Sequence, residues 1–385
     1  MLVAGVICEY NPFHLGHLYQ IESIKKSYSP YIVALMSGNF TQRGEPAIIS
    51  KFLRAKIAVD MGVSLVLELP SIFSTASAEN FAKGGISILK ATNIIDRLFF
   101  GCEDSCETLN KINNKINNFL NFHKVQAYLK QGYSYVKSVE LACDFLSKDE
   151  KNSLKKPNNI LGIEYIRAIE KLNANFSYQG ILRSMVDHNS EISSGNYCSS
   201  SYIRKLIYEK KDISRFICYS DDIFKGSKDL HFFNDYYDIF KYKILKDDIV
   251  YNEYIDYENG IENRFIKNLN SNNIYDFINN VNSKRYTSAR VRRLIIEILL
   301  DLKKDLIKSS INTPYIRVLA MDDRGKEILN SIEEKKIIKF KESLDNSKGI
   351  LREIMNKELL STNIYNLKNY IQNEDFIKSP YVKKN

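Results

Sequence analysis

The chain has 385 residues, of which 44% are hydrophobic and 26% charged, a composition typical of a soluble globular protein. Its formal net charge of +9 permits a polyanionic partner but does not require one. No apolar run approaches the roughly 20 residues that span a bilayer, and the apolar segment 2–8 is too short for a signal peptide, so we expect no membrane partner.

Two domains are expected, because 385 residues exceed the size at which one hydrophobic core usually keeps growing. Composition changes near residue 216, where short apolar segments give way to helical patterns rich in Tyr, Asn and Asp. We therefore predict a first domain over residues 1–215 and a mostly α-helical second domain over residues 216–385.

The first predicted elements are a strand over residues 2–8, a turn at Asn11-Pro12 and a helix from His14. A strand, a tight turn and a helix start form an anion site, because the first helical N–H groups are unpaired and the helix dipole favours negative charge there. His14 and His17 lie on one side of the first helical turn, with Gly16 between them allowing close approach of a ligand.

From residue chemistry alone, phosphate binding by His14 and His17 competes with two other interpretations. The pair could be metal ligands, but no partner set with ligand spacing follows, and we predict no metal site in the protein. The histidines could also be a helix cap or surface residues without a functional role.

Alternating strands and helices continue to about residue 185 and predict an α/β fold with a parallel, doubly wound sheet. The predicted strands lie at residues 31–36, 64–69, 97–100 and within 176–185, and the predicted helices lie at 51–61, 78–91 and 160–172. Ligands bind at the carboxyl ends of such strands, so His14, Gly38, Pro70 and Gly101 are expected near one site.

Polar segments between and after these strands supply further candidates. Residues 104–150 are polar and helical, and we expect them to cover the site. Asn158 and Asn159 follow Pro157 at a predicted helix start. Ser201 and Arg204 open a second helix whose N-terminus suits β- and γ-phosphates. Arg183 stands at the end of the strand predicted within 176–185, and for both arginines the alternative is an ordinary surface or capping charge.

The second half of the chain offers one basic cluster. Helices are predicted over residues 265–269, 274–281, 289–307 and 327–340. The cluster stands at the start of the third of these helices and consists of Lys284, Arg285, Arg290, Arg292 and Arg293. It could contact RNA phosphates, although a solvated helix face is the commoner meaning of such a run.

Six scattered cysteines indicate free thiols in a reducing cytoplasm rather than a disulfide framework. Only Cys102 and Cys106 are close in sequence, and no second pair completes a zinc site.

Two strings carry a resemblance to a known family. Asn11-Pro12-Phe13-His14-Leu15-Gly16-His17 resembles the HxGH signature of the nucleotidyltransferase superfamily, and Ser199-Ser200-Ser201-Tyr202-Ile203-Arg204 resembles its second signature, with Ser201 where Thr is usual. With Glu9-Tyr10 ahead and residues 36–47 (Met-Ser-Gly-Asn-Phe-Thr-Gln-Arg-Gly-Glu-Pro-Ala) behind, the first string is similar to the bacterial tRNA-Met cytidine acetate ligase family. The resemblance covers residues 1–205 most clearly.

The resemblance implies a Rossmann-like nucleotidyltransferase domain with His14 and His17 as the catalytic pair. It also implies that ATP, with Mg²⁺, is bound as a substrate. The residues that we assign to ATP binding are Ile7, Cys8, Glu9, Tyr10, Asn11, Pro12, Phe13, His14, Leu15, Gly16, His17, Leu18, Tyr19, Gln20, Gly101, Asn158, Asn159, Arg183, Ser184, Ser201 and Arg204.

The family activates acetate as acetyl-adenylate and transfers the acetyl group to the wobble cytidine of elongator tRNA-Met, giving N4-acetylcytidine. The resemblance thus implies acetate and elongator tRNA-Met as partners and implies no DNA partner. A pocket for acetate must be small, and our hypothesis places it at Ser37 and Gly38. The family's tRNA substrate also moves our interpretation of the cluster at residues 284–293 towards tRNA binding.

Three other functions remain open. The nearest alternative is a small-molecule adenylyltransferase without an RNA substrate, which shares both signatures. A class I aminoacyl-tRNA synthetase is disfavoured because no KMSKS-like loop follows the sheet. An RNA-binding protein that only senses ATP is disfavoured because both signatures are intact.

Overall fold

The computed structural model describes residues 1–133, 135–183, 198–225 and 229–384, without the side chains of residues 135 and 136. These described residues contain eight strands: β1 Val3–Cys8, β2 Tyr31–Ser37, β3 Leu65–Leu69, β4 Arg97–Cys102, β5 Ser177–Leu182, β6 Ile316–Met321, β7 Lys336–Ile337 and β8 Tyr381–Val382. Helices of the first half are α1 Leu15–Ser27, α2 Lys51–Asp60, α3 Ser71–Ser74, α4 Ala78–Thr92, α5 Cys106–Phe119, α6 Phe122–Lys130, α7 Tyr135–Ala142, α8 Lys148–Ser153, α9 Pro157–Lys171 and α10 Ser200–Tyr208.

Helices of the second half are α11 Tyr237–Lys246, α12 Ile261–Asn268, α13 Ile274–Val281, α14 Ser288–Leu300, α15 Lys304–Ser310, α16 Asp323–Ser331, α17 Phe340–Asp345, α18 Gly349–Tyr365 and α19 Glu374–Ile377. Among the described residues, no helix is both long enough and apolar enough to cross a bilayer. The mostly helical character predicted for residues 216–385 is confirmed.

The strands form one sheet in the order β5-β4-β1-β2-β3-β6-β7, with β8 paired to β6. Strands β1 to β5 pair in parallel, as the alternating sequence pattern predicts. The chain progresses from β1 to β3 on one side and then returns to place β4 on the other side of β1. The carboxyl end of β1 is therefore the topological switch point, where open α/β sheets bind ligands.

Helices cover both faces of the sheet, which is why the central strands are apolar at nearly every position. In β1, Val3 and Ile7 belong to one buried cluster, whereas Ala4, Val6 and Cys8 belong to the cluster on the opposite face. This burial confirms the doubly wound character that the sequence predicted.

The predicted parallel, doubly wound part of the sheet is confirmed, and the sheet also contains an antiparallel pairing. Strand β6, from the second half of the chain, pairs antiparallel with β3, and all six of its residues are buried. Sequence analysis missed it because its apolar run is short and follows long helical patterns. The division into domains at residue 215 stays a prediction, but residues of both halves share this sheet.

Buried charges join the two halves beside this pairing. Lys51 lies 2.6 Å from Glu68 and 2.9 Å from Asp375, and Arg317 of β6 lies 2.9 Å and 2.7 Å from the same two carboxylates. All four side chains are buried, so removing one partner would leave an uncompensated charge.

Two predicted helices have other boundaries in the structure. The helix predicted over residues 289–307 is two helices, α14 and α15, because Asp301 adopts a left-handed conformation (φ 51°) that ends α14. The helix predicted over residues 327–340 is α16 followed by the short strand β7.

Candidate active site

A cavity of about 600 Å³ lies at the switch point and is lined by the carboxyl ends of three strands. Ile7 and Cys8 come from β1, Gly101 from β4, and Ile181 and Leu182 from β5. Its volume is within the range of cavities that hold a ligand of nucleotide size.

Four helices begin at this cavity. Residues at the starts of α1, α4, α9 and α10 all line it: His14, Gly16 and His17; Ser77 and Ala78; Pro157 and Asn158; and Ser199, Ser200 and Ser201. The N-terminus of each helix presents the positive end of its dipole, although at α9 the N–H groups of Asn158 and Asn159 already donate to the carboxylate of Glu103. The convergence of the four N-termini favours a polyanionic ligand such as a triphosphate.

The two histidines form the start of α1. His14 is the N-cap, and its Nδ1 accepts a hydrogen bond from the Gly16 N–H at 3.0 Å. His17 Nδ1 accepts from the His14 N–H at 3.3 Å, which completes a capping box made by imidazoles. Because each Nδ1 is an acceptor, a neutral ring carries its proton on Nε2, the atom suited to donate to phosphate.

Aromatic packing fixes the orientation of this pair. The rings of His14 and His17 stack with centroids 3.8 Å apart, and the His17 ring also contacts Tyr10 at 4.9 Å and Phe13 at 5.5 Å. Tyr10 is fully buried with φ 47°, a left-handed conformation that turns the chain sharply after β1. Burial raises the pKa of the Tyr10 hydroxyl well above its usual range, so it remains protonated at the cavity wall.

Arg204, one turn into α10, links three parts of the site. Its guanidinium donates to the Asn11 carbonyl at 2.9 Å and to Glu45 Oε2 at 3.3 Å. Glu45 Oε1 also accepts from Arg292 of α14. The second signature is therefore tied both to the turn after β1 and to the C-terminal half.

The segment 40–46 forms a tight turn that lines the cavity with Gln42 and Arg43. Glu9 accepts from the Gln42 N–H at 2.8 Å, and the Thr41 N–H donates to the Glu45 carbonyl at 2.9 Å. Gly44, at φ 70°, packs directly on α14, where a Cβ atom would lie 2.5 Å from the backbone nitrogen of Arg293. Only glycine fits this contact without displacement.

Polar contacts on the other side of the cavity hold the start of α9. Glu103, just after β4, accepts from the side-chain amide of Asn158 at 2.6 Å and from the Asn159 N–H at 2.9 Å. Asn159 is fully buried, and its Oδ1 accepts from the backbone of Glu103 and Asp104. Asn158 therefore lines the cavity, whereas Asn159 supports the loop behind it.

An apolar part of the lining suits the base of a nucleoside. Its residues are Phe81, Phe100, Ile160, Leu161, Tyr165, Ile181 and Leu182. Arg183 lies beside this part of the lining, over Gly101. Burial lowers the pKa of its guanidinium, but the ordinary pKa of arginine is so high that the side chain remains charged.

Thiol chemistry has little support in this cavity. Cys8 and Cys198 line it, but burial raises the pKa of Cys8 and raises that of Cys198 to about 12. Neither side chain is a thiolate at neutral pH, so neither is an activated nucleophile. In the part of the chain that the structure describes, no group of three or more His, Cys, Asp or Glu residues could hold a metal ion, and all six cysteines are free thiols.

Most residues assigned to ATP binding from sequence are brought together here. Those that line the cavity are Ile7, Cys8, Glu9, Tyr10, Asn11, His14, Gly16, His17, Tyr19, Gln20, Gly101, Asn158, Arg183, Ser201 and Arg204. Those that lie outside the lining are Pro12, Phe13, Leu15, Leu18 and Asn159. Ser184 lies outside the described residues, and the roles of all these residues stay predictions.

The residues proposed for acetate lie elsewhere. Ser37 is fully buried, and the carbonyls of Ser37 and Gly38 both accept from the guanidinium of Arg54. Gly38 also faces Glu68 and Glu358, so carboxylates as well as the Arg54 cation surround it. Neither residue is in the cavity lining, and their role in acetate binding stays an untested prediction.

The basic cluster at residues 284–293 is largely paired with carboxylates. Arg285 and Arg290 both contact Glu258, and Arg293 makes two hydrogen bonds to Asp256, at 2.6 and 2.8 Å. Arg293 additionally lines the cavity, and Lys284 is exposed. The cluster fixes α14 against its neighbours, and tRNA binding by it stays a prediction.

Sequence analysis missed a second group of lining residues. Gln42 and Arg43 belong to the string after β2 and could have been assigned from it, whereas Ser77, Ala78 and Phe81 precede or open α4 without a recognisable motif. No described residue of 104–150 lines the cavity, although we expected that segment to cover it.

Comparisons with known proteins agree with this geometry. The family model described as HIGH Nucleotidyl Transferase matches residues 1–378. A Thermoanaerobacter sp. (strain X514) protein named tRNA(Met) cytidine acetate ligase is 34% identical over 390 residues, covering 95% of each chain. Crystal structures of Thermotoga maritima TmcAL, 29% identical over 100% of both chains, superpose with TM-scores of 0.91 for the apo form and 0.87 for the form bound with alpha-thio ATP.

Proposed function

This chain belongs to the tRNA(Met) cytidine acetate ligase family of HIGH nucleotidyl transferases, and from that premise we propose that it acetylates tRNA-Met. The proposed enzyme is an ATP-dependent ligase that activates acetate and transfers the acetyl group to the wobble cytidine of elongator tRNA-Met. The product is N4-acetylcytidine.

One observation carries this proposal: the histidine pair lies where four helix N-termini converge on one cavity. Among the described lining residues, Arg43, Arg183, Arg204 and Arg293 carry positive charge and Glu9 is the one carboxylate. Glu45 and Asp256 pair with Arg204 and Arg293 from outside this lining. Such a site favours a triphosphate and stabilises the negative charge that develops when its α-phosphate is attacked.

The first step would form acetyl-adenylate. A carboxylate oxygen of acetate attacks the α-phosphorus of ATP, the bond to the β-phosphate oxygen breaks, and pyrophosphate leaves. His14 and His17 would donate from Nε2 to the α-phosphate, while Arg204 and the N-terminus of α10 would hold the leaving group. Catalysis of this kind depends on positioning and electrostatics rather than on a covalent enzyme intermediate.

The second step would acylate the tRNA. The exocyclic amine of the cytidine attacks the acetyl carbonyl, an amine proton is lost, and AMP leaves with the former acetate oxygen. Acetyl-adenylate hydrolyses readily, so the cavity must exclude water until the RNA binds and reacts with this intermediate. The apolar lining near Phe100 and Leu161 is suited to that exclusion.

Magnesium would enter with the triphosphate. Mg²⁺ retains several waters and binds substrate phosphates with one or two carboxylates, so it does not need a cluster of protein ligands. Glu9 is a carboxylate in the cavity lining and is the candidate to approach it. A tRNA substrate and six free thiols together fit a reducing cytoplasm.

The decisive experiment incubates the protein with ATP, ¹⁴C-acetate and elongator tRNA-Met, followed by nucleoside analysis. We expect label in N4-acetylcytidine, with AMP and pyrophosphate formed. Label that leaves the protein only as a small adenylated molecule would instead indicate an adenylyltransferase without an RNA substrate. Binding of tRNA without consumption of ATP would indicate an RNA-binding protein that senses the nucleotide.

A further inference from the structure

The exposed rings of Tyr208 and Tyr275 and the half-buried ring of Phe232 form a surface on the side of α10, which we call the aromatic platform. The ring centroids of Tyr208 and Phe232 lie 5.2 Å apart in an edge-to-face contact. Tyr208 is 64% exposed and Tyr275 is 39% exposed. The Ile274 N–H donates to Asn234 Oδ1 at 3.0 Å, which holds the segment carrying Phe232 against the start of α13, where Tyr275 lies.

The platform continues from the phosphate side of the cavity. Arg204 and Tyr208 are four residues apart in α10 and therefore lie on one helix face, about 6 Å apart along the axis. Glu45 pairs with both Arg204 and Arg292. Burial first, and then the charge of Glu45, raises the pKa of the Tyr275 hydroxyl to about 12.

The surroundings of the platform are suited to a polyanion. Lys205 is exposed on α10, and Lys368 lies with its Nζ 5.9 Å from the centre of the Phe232 ring while it also pairs with Asp235 at 3.0 Å. The side chain of Arg292 is 30% exposed at the other margin. Exposed rings bordered by cations are typical of surfaces that stack unpaired bases and contact the phosphates between them.

A protein partner fits this surface less well. An aromatic side chain buries about 150–250 Å² at most, and these three rings are already partly covered. They would provide less than the roughly 800 Å² per partner that a stable protein interface needs. Stacking of bases requires only exposed ring faces, and Tyr208 offers most of its surface.

We propose that the aromatic platform binds unstacked bases of the RNA loop that presents the target cytidine to the cavity. This inference rests on the proposed function, because it requires that the substrate is an RNA. Single-stranded RNA is the fitting class, since the bases of a duplex are not available for stacking on protein rings. The platform would direct the loop past Arg204 into the site.

The test measures RNA and nucleotide binding separately, with the full chain carrying Tyr208→Ala and Tyr275→Ala together. Binding of a fluorescein-labelled elongator tRNA-Met transcript is followed by anisotropy, and binding of ATP by calorimetry. We expect tRNA affinity to fall about tenfold or more, since each stacked base contributes substantially to affinity. ATP affinity should stay unchanged.

Two matched controls separate stacking from general surface effects. The double variant Tyr208→Phe and Tyr275→Phe keeps both rings and should bind tRNA within about twofold of the wild type. Tyr242 is 61% exposed on α11, where it lies under Lys246, and Tyr242→Ala should leave tRNA affinity unchanged.

Each contrary result has a distinct meaning. Wild-type affinity in the double Ala variant, or an equal loss in the Phe variant or in Tyr242→Ala, would overturn the platform while leaving the proposed function intact. Failure of the wild type to bind tRNA would overturn the proposed function and the platform with it. If the wild type sediments as a dimer and the double Ala variant as a monomer, the surface is occupied by a second copy of the chain, which would also overturn the platform.

Discussion

The imidazole rings of His14 and His17 stack with centroids 3.8 Å apart, and the Nδ1 atom of each accepts a backbone N–H at the start of α1. Both rings are thus part of the helix cap and part of the cavity wall. The structural role and the proposed chemical role coincide in these two side chains, so a useful variant must keep the first role while removing the second.

His14→Asn and His17→Gln meet that requirement. Asn is a strong N-cap residue, and Gln at the third helical position can still reach back to the cap N–H. Neither offers an imidazole Nε2 to the α-phosphate, so we expect turnover to fall at least about 100-fold with little change in melting temperature. His14→Ala should lose turnover and also about 1 kcal/mol of stability. Near-wild-type turnover in either amide variant would contradict the catalytic assignment.

Arg204→Gln should raise the KM for ATP about tenfold or more, because a charge-assisted contact to phosphate contributes roughly 1.5–3 kcal/mol. Steady-state kinetics with varied ATP would measure this change. Arg167→Gln is the control, since Arg167 pairs with Glu164 at 2.8 Å and is not among the lining residues. Equal effects of the two substitutions would remove the case for Arg204 as a phosphate ligand.

Gly44→Ala should destabilise the protein and lower turnover. A Cβ at this position would lie within 2.9 Å of three atoms of Arg292 and Arg293, and φ is 70°. Gly132→Ala is the matched control, since Gly132 has φ 85° but a Cβ there would have no neighbouring atom within 4 Å. Both variants place an alanine in a left-handed backbone conformation, which costs roughly 1–2 kcal/mol of stability. Any additional decrease in melting temperature in Gly44→Ala, compared with Gly132→Ala, would therefore measure the contact with α14. Identical losses would show that this contact is unimportant.

Glu358→Gln should change how stability depends on pH. Burial, and then the neighbouring charge of Glu68, raises the pKa of Glu358 to about 8 from a usual value of 4.5. Between these values the unfolded chain releases a proton that the folded chain retains, so the free energy of unfolding falls as pH rises, by at most about 1.4 kcal/mol per pH unit. Gln does not titrate, so the variant should gain melting temperature relative to the wild type from pH 5 to pH 8.

Glu342 provides the control for that measurement, because its side chain is 65% exposed and pairs with Lys339 at the surface. Glu342→Gln should keep the pH dependence of the wild type. A constant difference in melting temperature between Glu358→Gln and the wild type across this range would show that Glu358 is ionised in the folded protein.

Local patterns predicted the parts of the fold that depend on local interactions. The apolar run of β1 and the switch to helical spacing after His14 were sufficient to locate the part of the cavity that His14 and His17 line. Long-range pairings were not predictable in this way. Strand β6 joins β3 across about 250 residues, and Arg317 meets Glu68 only because of that pairing.

The same distinction separates found from missed site residues. Arg204 could be assigned because its helix start is a recognisable signal, whereas Arg293 enters the cavity through the packing of α14 on Gly44. Asn159 was assigned from its position beside Asn158; in the structure its side chain accepts from the backbone of Glu103 and Asp104, and its role in ATP binding stays a prediction.

We propose that the histidine pair holds the α-phosphate of ATP at the switch point of the sheet. A crystal structure of this protein with a non-hydrolysable ATP analogue and acetate tests it most directly. We predict the nucleotide in the cavity, with the Nε2 atoms of His14 and His17 within hydrogen-bond distance of the α-phosphate and the terminal phosphates at Arg204. A nucleotide bound elsewhere, with both imidazoles making no contact to it, would contradict the account.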